Sequence, residues 1–103
     1  MKQKILGLLC LAMLALIPQR AAAYTECTVN LLDIYAGDGG MVWLDYTNGG
    51  SGYVSASSSD REAILSLATT ALVSKRQVRV RYQADGVACT AAGRGDIEGV
   101  YLL

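Results

Sequence analysis

The stretch "SDREAILSLATTALVSKRQVRVRY", Ser59 to Tyr82, decides the fold because the hydrophobic period changes within it. Ser59-Asp60-Arg61-Glu62 matches the capping box S-x-x-E, which makes Ser59 the expected N-cap. Ile64, Leu65, Leu67, Ala68, Ala71 and Leu72 then recur at helical spacing. Asp60 and Glu62 stand in the first turn, and Lys75 and Arg76 stand at or just past the end, placements that suit the helix dipole. From Val78 the period becomes two. Val78, Val80 and Tyr82 alternate with Arg79 and Arg81, as in a strand with one apolar and one polar face.

Working outward, Thr25 to Tyr35 reads as a single first strand, with Val29, Leu31, Leu32 and Ile34 mixing both faces. "AGDGG" (Ala36–Gly40) is a turn. Met41 to Tyr46 alternates, with Val42, Leu44 and Tyr46 on one face and Trp43 and Asp45 on the other. "TNGGSG" (Thr47–Gly52) contains Asn-Gly, a hairpin signal, and Tyr53 to Ala56 forms a short third strand. After the Val78–Tyr82 strand, Ala84-Asp85-Gly86-Val87 turns the chain, and Ile97 to Leu103 is the last strand. The order β-β-β-α-β-β predicts a small mostly-β domain, an OB-fold-like five-stranded barrel with its helix between strands three and four. Closure removes the two edges that so small a sheet would expose.

The 103-residue chain opens with Met-Lys-Gln-Lys, followed by an apolar run from Ile5 to Ile17 and the triplet Ala21-Ala22-Ala23. That layout predicts a signal peptide over residues 1–23 and a single domain over residues 24–103, secreted or periplasmic. The apolar run is short for a membrane span, so no span is expected in the mature chain. Cys10 follows Leu8-Leu9 rather than the small residues of a lipoprotein site. Over the whole chain nine Lys and Arg balance nine Asp and Glu. Without Lys2, Lys4 and Arg20, six basic residues face nine acidic ones, a net charge of −3. That balance argues against nucleic acid as a partner. The two remaining cysteines, Cys27 and Cys89, form the one pairing possible within an exported chain. A disulfide there closes a loop of about 60 residues and is worth about 4 kcal/mol in the chain-entropy model.

The segment "REAILSLATTALVSKRQVRVRYQADGVACTAAGRGDIEGVYLL", Arg61 to Leu103, resembles the C-terminal half of the pentameric B subunits of bacterial AB-type toxins, the subtilase-cytotoxin and pertussis-like B subunits in particular. In both, an Ala/Leu-rich helix runs into a basic, valine-alternating strand. A cysteine-containing segment and a terminal I-x-G-V-Y-L type strand follow. The signal peptide, mature length and two-cysteine pattern agree with that family. The resemblance implies a secreted, ring-forming receptor- or glycan-binding subunit, a homopentamer, with a catalytic A subunit and a host cell-surface glycan as partners. The alternative is a monomeric periplasmic module that binds or inhibits another protein.

The residues supply candidate sites for such a role. Trp43, with Asp45 and Tyr53 in the same hairpin, forms a candidate glycan platform, an aromatic face for sugar C–H groups beside polar groups that orient the hydroxyls. Packing under the helix or in a subunit interface is the competing role for Trp43. Val100 and Leu102 fall on the opposite face of the last strand from Ile97, Tyr101 and Leu103, so either the helix or another subunit must cover them. We assign them to an oligomer interface. Arg79 and Arg81 are expected on a solvated or cross-strand-paired face, with Glu98 as a partner. "RGD" at Arg94-Gly95-Asp96 reads as an ordinary loop. The chain has no histidine, its serines accompany no nucleophile motif, and no metal-ligand set is apparent. No enzyme activity, catalytic residue, metal or cofactor is expected.

Overall fold

A computed structural model describes residues 23–103. The segment read as a signal peptide, up to residue 22, lies outside the described residues. The elements are β1 (Thr25–Val29), β2 (Leu31–Gly37), β3 (Met41–Tyr46), β4 (Ser51–Val54), α1 (Arg61–Ser74), β5 (Val78–Tyr82) and β6 (Ile97–Leu102). They form two antiparallel three-stranded sheets, ordered β1-β5-β6 and β2-β3-β4. Among the described residues no helix is long and apolar enough to cross a membrane.

The single first strand expected over Thr25–Tyr35 is two strands in different sheets, so the described residues form six strands rather than five. Cys27, Val29 and Leu31 keep an unbroken inward alternation while the chain passes from one sheet to the other at exposed Asn30. An irregularity between Leu31 and Asp33 then shifts the register, leaving Leu32 exposed and returning Ile34 to the core side. That bulge is why the apolar residues of this stretch mix both faces in sequence. The two sheets do not close into a continuous barrel. The chain crosses between them at Asn30, and one isolated parallel bridge, Gly52 to Arg94, ties β4 to the β5–β6 connection.

The core lies between the sheets and under α1. Val42, Leu44, Tyr46, Val54, Val78, Val80 and Tyr82 point into it from the strands, and Ile64, Ala68 and Ala71 from the helix. Each fully buried Leu or Val side chain contributes about 1.5–3 kcal/mol. Tyr46 and Tyr82 bring hydroxyls into this core, and the two oxygens lie 2.6 Å apart in a shared hydrogen bond. Burial and that contact push the Tyr46 phenol far above its ordinary range. The pair joins the two sheets at the centre of the domain.

The helix begins one residue later than the capping box implied. Asp60 is the N-cap and makes no side-chain cap bond. Ser58 Oγ accepts the Asp60 N–H instead, and Ile64 N–H bonds Asp60 O. With Arg61 as the first helical residue, Glu62 stands too early to reach back to Ser59. At the other end Lys75 adopts a left-handed conformation (φ 57°), with Lys75 N–H bonded to Leu72 O and Arg76 N–H to Ala71 O.

Val100 and Leu102 pack against the core, opposite Val80 and Val78 of β5. Both stay partly exposed, and the partners that the structure gives them lie within the subunit. A register irregularity at Arg81–Tyr82 sends Ile97 to the same core as Val100. A strict period of two across that irregularity had put them on opposite faces.

Cys27 and Cys89 form the expected disulfide, with Cα atoms 5.5 Å apart and a sequence separation of 62. It ties β1 to the long β5–β6 connection, which runs back along β4. There Ser51 N–H bonds Ala91 O, Tyr53 N–H bonds Arg94 O, and Asn48 Nδ2 donates to Cys89 O.

Candidate functional site

The β2–β3 and β3–β4 registers assemble the site. A turn at Asp38-Gly39-Gly40, all three at positive φ, reverses the chain and pairs Gly37 with Met41. Counting back along both strands places Tyr35 opposite Trp43 and Asp33 opposite Asp45. The Asn48-Gly49 turn, braced by Asn48 Oδ1 accepting Gly50 N–H, places Tyr53 opposite Trp43 and Ser51 opposite Asp45. Residues paired across antiparallel strands share a face, and Val42, Leu44 and Tyr46 occupy the inner one. The outer face therefore carries two parallel rows, Tyr35–Trp43–Tyr53 and Asp33–Asp45–Ser51.

With strands about 4.8 Å apart and alternate residues about 6.8 Å apart, each row spans about 10 Å and the two rows run side by side. Trp43 is half-buried and stacks on Tyr53, ring centroids 4.6 Å apart and tilted by 37°. Tyr53 in turn lies on Gly95 of the β5–β6 connection, where a Cβ would sit 2.5 Å from the tyrosine hydroxyl. Tyr35 is the open end of the row, 50% exposed. Trp43 thus lies on the outer face of its sheet, away from the core. One side is packed against Tyr53, and the remainder lies on the outer face.

The polar row is electrostatically uneasy. Asp45 is held above the ordinary carboxylate range, first by its hydrogen bond with Asp33, then by burial, then by the Asp33 charge. Two carboxylates this close resist ionising together. Among the described residues, Arg61 and Arg94 are engaged elsewhere. Arg61 donates to Gly40 O at 3.0 Å and lies 3.8 Å from Glu62. Arg94 donates from two nitrogens to Asp96, at 3.0 and 2.7 Å. Asp96 also accepts the Ala84 N–H, and Arg94 followed by the opposing cost of burial leaves its carboxyl below the ordinary range. This bidentate pair ties the RGD arginine and aspartate to each other, as an ordered loop requires.

The structure brings Trp43, Asp45 and Tyr53 together as the hairpin reading required. It adds Tyr35 and Asp33, which sequence reasoning missed. Their signal was present: once the "GDGG" turn is centred, the two strands can be counted off in pairs. On the other sheet Arg81 pairs with Glu26, not Glu98. Its guanidinium donates to Glu26 Oε2 at 3.2 Å and to Tyr101 Oη at 2.6 Å, and lies 4.1 Å from the Tyr24 ring centroid. Glu26 sits directly opposite Arg81 in the β1–β5 register, which decides the partner. Among the described residues no group of three or more metal-ligating side chains is brought together. No known family model matches this chain, and no curated protein matches it.

Proposed function

We propose that this chain is an exported, non-catalytic binding subunit whose saccharide site is the outer face of β2-β3-β4. The observation that carries the reading is the row Tyr35–Trp43–Tyr53 lying beside the row Asp33–Asp45–Ser51. Aromatic rings stack on the C–H faces of sugars, while carboxylates and hydroxyls accept and orient sugar O–H groups. A row of three aromatics also exceeds a single pyranose ring, which suits an oligosaccharide.

The topology supports the same face. In an OB-type barrel, β1 and β2 would be the two arms of one bent first strand, and the Gly52–Arg94 bridge ties β4 to the segment that leads into β6, beside the place where the third and last strands of such a barrel meet. On that reading β3 and β4 are barrel strands two and three, the face that OB-folds use for oligosaccharides and oligonucleotides together with the flanking loops. The β5–β6 connection is such a loop, and Gly95 touches Tyr53. The homopentamer and the catalytic partner subunit rest on the resemblance to toxin B subunits, since Val100 and Leu102 are accounted for within the subunit. A ring would multiply one weak site into useful avidity.

Two variants test the site on a glycan array. Tyr35→Ala removes the exposed ring without disturbing the core, and Trp43→Ala removes the centre of the row. Both should abolish binding while the disulfide and oligomeric state stay as in the wild type. Light scattering at tens of micromolar should show a pentamer, and a monomer rejects the ring. Absence of glycan binding by the wild type rejects the site and favours the monomeric protein-binding module.

A further inference from the structure

We infer that this face selects neutral saccharides over anionic ones, with Asp33 and Asp45 as its specificity-determining residues. The inference rests on the saccharide-site reading above and deepens it. Asp33 and Asp45 stand directly opposite each other on β2 and β3, one pleat from the aromatic pair Tyr35 and Trp43. A sugar stacked on the aromatic row therefore presents its edge to the carboxylates.

The chemistry of that edge follows from what a carboxylate can do. Vicinal sugar hydroxyls donate well to it, and charge-assisted hydrogen bonds of this kind are among the strong ones. A carboxylate or sulfate on the ligand has no proton to offer and brings a further negative charge to a pair that already resists carrying two. A cation on this face would offset that charge, but Arg61 is committed to Gly40 O and Glu62, and Arg94 to Asp96. Arg79 and Arg81 lie in β5, on the other sheet. The elevated pKa of Asp45 agrees with this picture, because it reports a site where added negative charge is unwelcome.

The test uses a glycan array printed with matched oligosaccharides, each backbone present without and with a terminal sialic acid or sulfate. The full mature protein is applied at fixed ionic strength near neutral pH, as wild type, as Asp33→Asn/Asp45→Asn, and as Trp43→Ala. Wild type should favour the neutral member of each bound pair by about tenfold or more, the size expected of one like-charge contact at a partly desolvated surface. The double Asn variant keeps hydrogen-bonding groups but loses the charge, so its preference should fall toward unity. A wild type that binds charged and neutral members equally overturns the inference. So does an undiminished preference in the double variant. If binding occurs and depends on Trp43 but shows no charge preference, the site stands and the selectivity is wrong. If no glycan binds, both fail together.

Discussion

The two sheets expose outer faces of similar make-up, each with aromatic rings beside charged residues, and the charges are arranged in opposite ways. On β1-β5-β6, Arg81 meets Glu26 across the strands and Tyr101 on its other side, while Arg79, without an ion pair among the described residues, lies over the Tyr101 ring at 5.6 Å. On β2-β3-β4, Asp33 faces Asp45, and among the described residues neither forms an ion pair. Opposite charges across strands are an ordinary means of holding a sheet together, whereas like charges directly opposite are destabilising. The first arrangement is explained by the fold itself. The second is not, and a group that works against stability at an aromatic surface points to a ligand. The basic strand catches the eye in the sequence, yet the quieter acidic hairpin is the better functional candidate.

The largest effect tests whether the two faces belong to one cooperative unit. Replacing Cys27 and Cys89 with Ser should cost about 4 kcal/mol and lower the melting temperature in a single transition, because the bond spans 62 residues and anchors the connection that borders both sheets. Two separated transitions would mean that the sheets melt independently. The next effect lies between the faces. Tyr46→Phe or Tyr82→Phe alone strands a buried hydroxyl and should cost about 1–3 kcal/mol, whereas the double Phe variant should recover most of that loss. A double variant as unstable as the sum of the singles would show that the hydroxyls have other partners.

Smaller effects separate the faces themselves. Arg81→Ala should destabilise less than either tyrosine change and leave glycan binding intact, because its partners are exposed. Asp45→Asn should do the reverse, raising the melting temperature slightly at neutral pH while weakening binding. The pH dependences of the two carboxylate sites should also be opposed. The folded pKa of Asp45 is raised, so its penalty is greatest at neutral pH and disappears as acid protonates it, and the advantage of Asp45→Asn should shrink on acidification. The folded pKa of Asp96 is lowered, so its contribution is present above the ordinary value of 3.8 and is lost as pH falls through the folded value. Asp96→Asn should therefore be costly at neutral pH and nearly neutral in strong acid. Thermal melts of both variants from neutral pH downward check the signs, and parallel trends would undo the contrast.

Most elements were legible in the sequence because their signals are local. The change of period at Val78, the alternation through Met41–Tyr46 and the Asn48-Gly49 turn each depend on residues a few positions apart. The Cys27–Cys89 bond was legible by elimination, with only two cysteines after residue 23. The misses share a cause. Asn30, Leu32 and the Arg81–Tyr82 irregularity are places where one residue changes sheet or shifts register, and a period of two cannot show which residue gives way. The helix start was displaced for a similar reason, since Ser58 and Ser59 are chemically equivalent candidates and backbone geometry chooses between them.

By itself, then, the sequence determined most of the strands, the presence of the helix, the disulfide and the net negative balance after residue 23, because period, turn chemistry and composition are properties of neighbours along the chain. Only the tertiary structure decided that the first strand serves two sheets, that Val100 and Leu102 pack against the core, that Arg81 belongs to Glu26, and that Tyr35 and Asp33 complete the rows begun by Trp43 and Asp45. Each of those is a matter of which strand lies beside which, and in what register. Register is a cooperative choice made by the whole core burying its apolar faces at once.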